Sequence, residues 1–150
     1  MRFRALLLTS CLAFGPSIAH ADLEPWKDYT LSDAVWSITT VKVNANMDDA
    51  YLEGIKKTWV ASHQVMKDLG QIEDFKIYRS TMPQSGDFNL LLVVKFKNGE
   101  AVGDNKARHE AFMQKWGAER QKQSDEIAQK NYPAMRELVG EYQMREVSLK

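Results

Sequence analysis

Apolar positions change their period several times along this chain, and each change marks an element. Residues 35–43 are rich in β-branched side chains (Val35, Ile38, Thr39, Thr40, Val41 and Val43), which predicts a strand. The period then lengthens. Leu52, Ile55, Trp59, Met66 and Leu69 recur at three- and four-residue spacing, the stripe of an amphipathic helix. Asn46 is placed to cap its start, Asp48 and Asp49 sit where a helix dipole favours acids, and Gly70 follows as a stop. Residues 72–82 alternate around Phe75 and Ile77 and run into Pro83-Gln84-Ser85-Gly86, a turn signal. Residues 88–96 follow, with Leu90-Leu91-Leu92-Val93-Val94 at their centre. Two such strands across a short Pro/Gly loop predict an antiparallel hairpin.

The second half begins with a loop from Asn98-Gly99 to Gly103, after which Asp104 or Asn105 can cap a second helix. That helix opens with a stripe of His109, Phe112, Met113 and Trp116. Its continuation over 117–130 is polar, with Ile127 the only large apolar residue, and is expected to project or fray. Pro133 is expected to start a short helix bearing Met135, Leu138 and Val139 and ended by Gly140, and 143–149 to form the last strand. Residues 22–34, with Pro25, Trp26 and Tyr29, show no period and read as a leader lying on the domain. The order over 35–150 is β-α-β-β-α-β, an α+β chain whose order resembles the ferredoxin-like fold. That resemblance implies a four-stranded antiparallel sheet with two main helices on one face. It puts the first and third strands at the centre. Here those are the most apolar strands, while the second and fourth carry more charge, as edges should.

A sheet with helices on one face and water on the other alternates apolar with polar. The third strand does not: Phe88, Leu90, Leu92, Val94 and Phe96 share one face, and Leu91 and Val93 point to the other. Either the leader or the Pro133 helix covers that second face, or a second copy of the chain does. Contiguous apolar patches mark association, which favours a homodimer with Leu91 and Val93 in its interface. At this point the chain resembles the dimeric α+β barrel superfamily, in which two ferredoxin-like sheets close into one barrel. The resemblance covers Val35 to Lys150 and rests on element order and strand apolarity. It implies a ligand cleft between helices and sheet. It also implies a choice among cofactor-free monooxygenases, haem-degrading monooxygenases, lactone isomerases and stress-induced proteins. No subfamily catalytic pattern matches residue by residue, so no catalytic residue is carried over.

The first 21 residues read as an export signal. Arg2 and Arg4 precede an apolar run from 5 to 14, Gly15-Pro16 breaks it, and Ala19-His20-Ala21 supplies a cleavage pattern. The run is half the roughly 20 residues that span a bilayer, so no permanent membrane span is expected. Leu8-Thr9-Ser10-Cys11 is the rival, resembling a lipobox, with too short an apolar stretch before it. Cleavage after Ala21 makes the protein exported, periplasmic, and without cysteine. Disulfides, thiolate metal sites and cysteine nucleophiles are then excluded together. Of 150 residues, 129 remain, with 18 basic against 20 acidic residues and a net charge of −2. A faintly acidic domain without a basic stripe is a poor candidate for nucleic acid.

Two histidines remain for chemistry. His63 falls within about 40° of Trp59 on the first helix, and His109 shares a face with Phe112 and Trp116 on the second. The connectivity makes the helices antiparallel and brings both imidazoles toward one edge of the sheet. Trp59, His63, His109, Phe112 and Trp116 are therefore the candidate ligand-binding residues. The ordinary alternative is that each imidazole sits at a core margin, bonded to backbone or water. The functional version is a small aromatic ligand, or a haem with a histidine as axial ligand or proton shuttle. No metal site is expected: neither H-x-x-x-H nor H-E-x-x-H spacing exists. G-x-G-x-x-G, P-loop and G-x-S-x-G patterns are also missing. The leading functional expectation is an exported small-molecule-binding or stress-associated dimer without a predicted cofactor. A haem-dependent or cofactor-independent monooxygenase is the alternative, and a purely structural assembly partner the third.

Overall fold

A computed structural model describes residues 22–82 and 86–150. The expected export signal, with Cys11 inside it, and residues 83–85 of the Pro/Gly turn lie outside the described residues. In chain order the elements are β1 (Tyr29–Leu31), β2 (Val35–Val43), α1 (Asp48–Ile55) and α2 (Ala61–Asp68), then β3 (Asp74–Arg79) and β4 (Leu90–Phe96). There follow α3 (Gly99–Val102), α4 (Lys106–Trp116), α5 (Ala118–Met135), β5 (Arg136–Met144) and β6 (Val147–Leu149). One π-helical turn, Lys56–Val60, joins α1 to α2 in a single rod.

The main sheet has the order β3-β4-β2-β5, all neighbours antiparallel. This is the ferredoxin-like arrangement, with the two most apolar strands central and their partners at the edges. Residues directly opposite in an antiparallel ladder share a face. The pairs Val35↔Phe96, Ser37↔Val94, Thr39↔Leu92 and Val41↔Leu90 therefore belong to one side. On that side Val41, Val43, Leu90 and Leu92 meet Tyr51 and Ile55 of α1 and Tyr132 of α5, all buried. Leu52, Trp59, Ile77, Ile127 and Met135 pack around them.

Several local expectations are corrected. Asn46 does not cap α1: its φ is +65°, and Met47 stands at the cap with no side-chain bond. Asp48 and Asp49 do occupy the first turn. Gly70, at φ +68°, follows α2, its N–H bonding the Lys67 carbonyl at 2.9 Å. Asn105 caps α4, its Oδ1 accepting from the Arg108 N–H at 3.0 Å. The polar 117–130 stretch neither projects nor frays, since all of it but Gly117 lies in α5. It is one helix whose Ile127, Ala128, Tyr132 and Met135 lie on the core, while Gln121–Asp125 and Lys130–Glu126 contacts occupy its outer side.

Pro133 starts no helix, because it lies in the last turns of α5. Leu138, Val139 and Gly140 belong to β5, with Val41 opposite Leu138 and a bulge at the Thr40/Val41 step. Pairing with β2 overrides the local helical reading there. The last strand accordingly begins at Arg136, and only Val147–Leu149 of its expected end forms the separate β6. The leader also has structure, since β1 pairs with β6 through Tyr29↔Leu149, Thr30↔Ser148 and Leu31↔Val147.

Candidate functional site

The helical rod presents Trp59 and His63 one turn apart, against edge strand β3. The imidazole stacks on the Trp59 indole at 4.2 Å between centroids and 32°. Phe75 meets the indole edge-on at 5.5 Å and the imidazole at 5.9 Å. His63 Nδ1 lies 2.7 Å from the Trp59 carbonyl, so Nδ1 carries the proton and donates it. Burial holds its pKa below the ordinary value, opposed by this hydrogen bond.

His109 lies elsewhere. It is exposed on α4 and lines a cleft of about 200 Å³ with Met66, Gln71, Arg108 and Phe112. Phe112 stacks with Trp116 at 6.0 Å and 23°. Trp116 is buried at the α4–α5 junction, and its Nε1 finds no partner among the described residues. The fold thus pairs Trp59 with His63 and Phe112 with Trp116, and gives His109 to the Phe112 side. The two histidines are not brought into one cleft, because His63 turns onto Trp59 and Phe75.

Next to the His109 cleft is a wider one of about 440 Å³, sharing Gln71, Ala101 and Arg108 with it. Its lining includes the apolar side chains of Leu69, Ile72, Ala101, Ala107 and Ala111, together with Glu73 and Lys97. Its walls are held by committed hydrogen bonds. Gln71 Nε2 donates to the Arg108 carbonyl at 2.8 Å, and Arg108 Nη1 to the Ala101 carbonyl at 2.9 Å. Arg108 Nη2 also donates to the Gly103 carbonyl. Sequence reading missed this cleft, because small residues and glycine turns carry no chemical signature.

It missed a buried polar cluster as well. Thr58, in the π-helical turn, shares a 2.5 Å hydrogen bond with the Tyr132 hydroxyl. Tyr51 meets Tyr132 edge-on at 5.3 Å, and the Arg136 guanidinium lies over both rings at 5.9 and 5.4 Å. Burial pushes both tyrosine pKa values up. The helix–sheet interior is therefore filled by side chains at the place where the resemblance implied a ligand.

The opposite face of the sheet has neither of its expected covers, since the leader is engaged in β1 and Pro133 lies in α5. Rows of opposed residues cross it: Lys76, Val93, Ile38 and Tyr142 form one, and Tyr78, Leu91 and Thr40 another. Lys95, Trp36 and Met144 form a third, with the Lys95 ammonium 5.3 Å from the Trp36 ring. Tyr78, Tyr142 and Met144 are exposed, and Leu91 and Val93 half-buried. Among the described residues no group of three or more His, Cys, Asp or Glu side chains could hold a metal ion. No helix there is long and apolar enough to cross a membrane.

No family model matches the chain, and no curated protein matches it. Among solved structures, HapK from Hahella chejuensis is similar, at 15% identity and a TM-score of 0.45 over 75% of this chain and 91% of its own. A dimeric protein of unknown function and ferredoxin-like fold from Bacteroides fragilis is similar at 12% identity and a TM-score of 0.42. That match covers 80% of this chain and 99% of the other. A dimeric ferredoxin-like protein of unknown function from Thermobifida fusca is similar at 8% identity and 0.38, over 85% and 97%. The fold reading rests on this chain's own strand order.

Proposed function

We propose that this chain is an exported, homodimeric, non-enzymatic module that binds a small apolar or aromatic molecule. The observation that carries the reading is the cleft between the Leu69–Glu73 turn and α4, about 440 Å³ in volume and lined largely by apolar side chains. Ligand sites commonly measure about 300–1,000 Å³, with apolar linings and few polar groups. The sheet face around Ile38, Leu91 and Val93 supports the homodimer, because a contiguous apolar face exposed to water favours association.

The test uses 8-anilinonaphthalene-1-sulfonate, an aromatic anion that fluoresces when held in apolar surroundings. The chain is expected to bind it, and Ala107→Trp, which puts an indole on the cleft lining, to weaken binding at least tenfold. Equal affinity for the two proteins overturns the cleft assignment.

The haem-dependent alternative fits these residues poorly. His63 lies stacked on Trp59 with Nδ1 bonded to a carbonyl, and His109 faces a cleft of about 200 Å³. That volume falls short of the range of ordinary small-molecule sites.

A further inference from the structure

Three residues line both the wider cleft of about 440 Å³ and the narrower one of about 200 Å³: Gln71, Ala101 and Arg108. The same three are hydrogen-bonded to one another. Gln71 Nε2 donates to the Arg108 carbonyl at 2.8 Å, and Arg108 Nη1 to the Ala101 carbonyl at 2.9 Å. What divides the two clefts is therefore one bonded row, running from the turn after α2 through α4 to α3.

Half-buried Arg108 is the centre of that row. Its N–H donates to the capping Asn105 Oδ1 at 3.0 Å, and its Nη2 to the Gly103 carbonyl. One planar guanidinium thus holds two carbonyls, at the last turn of α3 and just beyond it, which a single ammonium group would do poorly. α3 needs that hold. It has four residues, too few for a helix to be stable by itself, and it buries none of them. Its start is tied by the Asn98 cap, whose Oδ1 accepts from the Ala101 N–H at 3.0 Å. A segment with so little buried surface opens at low free energy once its bonds are removed.

We propose that Arg108 sets the length of molecule the site accepts, by fastening α3 as a partition between the two clefts. The proposal rests on the reading of the wider cleft as a ligand site and deepens it. With the row intact, a ligand is confined to the wider cleft, which selects compact molecules. With the guanidinium bonds gone, α3 is released and the two clefts join into one trough. Its far end is then lined by Met66 and Phe112, which suits a longer apolar molecule.

The test compares 8-anilinonaphthalene-1-sulfonate with bis-ANS, the covalent dimer of the same unit, on the full chain. Arg108→Met keeps the apolar stem and removes both donors to α3. In that variant the dimeric dye is expected to gain at least tenfold in affinity relative to the single dye, and adding Ala107→Trp to abolish the gain. Arg108→Lys keeps the charge but cannot hold both carbonyls, and is expected to show the same gain. It carries the comparison if Arg108→Met does not fold. Amide exchange at Ala101 and Gly103 is expected to quicken at least tenfold in either variant, with β4 unchanged. A ratio of the two affinities that stays at its native value overturns the partition and leaves the cleft standing. A gain that survives Ala107→Trp arises outside the cleft and also overturns the partition. Single-dye binding to the native chain that Ala107→Trp leaves unaltered overturns the cleft and the partition with it.

Discussion

His63 has an imidazole that burial against Trp59 and Phe75 keeps neutral, and its titration has a definite sign. The folded pKa lies below the unfolded value of about 6.5, so the unfolded chain binds the proton more readily. The contribution of neutral His63 is complete above the unfolded value and is lost as pH falls through the folded one. Thermal unfolding between pH 8 and pH 5 is expected to lose more stability in the native chain than in His63→Gln. Parallel losses would mean that His63 titrates as it does unfolded. The stripe of Trp59 and His63 was legible because both lie on the apolar face of a strongly periodic helix. Thr58 and Tyr132 were not, since their hydrogen bond joins positions 74 apart in the chain.

Among the elements, α5 shows most clearly what local pattern misses. Its sequence is polar enough to read as fraying, yet few apolar contacts are needed when each is fully used. Tyr132 alone reaches Tyr51, Thr58 and Arg136. What aims α5 at the core is the break before it. Gly117 separates α4 from α5 at φ +89°, ψ 140°, a region that side chains rarely enter. A Cβ there would meet no atom within 4 Å, so the cost of Gly117→Ala is conformational rather than steric. That substitution is expected to destabilise the chain by about 1–3 kcal/mol in urea unfolding, with the slope unchanged. A neutral result would show that the junction relaxes into one longer helix.

Across the whole molecule, the two faces of the sheet have opposite fates. One is closed by α1, the π-helical turn and α5, and the other carries Ile38, Leu91 and Val93 without a cover from the described residues. Sedimentation velocity is therefore expected to show a dimer for the native chain and a folded monomer for Leu91→Glu or Val93→Glu. A folded variant that sediments like the native chain would remove this face from the interface.

The first three strands of the main sheet and the excess of apolar residues on the third were legible in the sequence, while the strand order came with the resemblance of the element order to the ferredoxin-like fold. Those strands depend on side-chain period and composition, which neighbours in the chain already display. Only the tertiary structure decided that Leu138 and Val139 are strand, that Pro133 lies inside α5, and that the leader pairs with the C-terminal strand. Each of these depends on a partner far away in the chain. The same is true of the site: the sequence placed both histidines on apolar helix faces. Which imidazole lies on Trp59 and which lines an open cleft was settled by how the helices meet β3 and the α3–α4 turn.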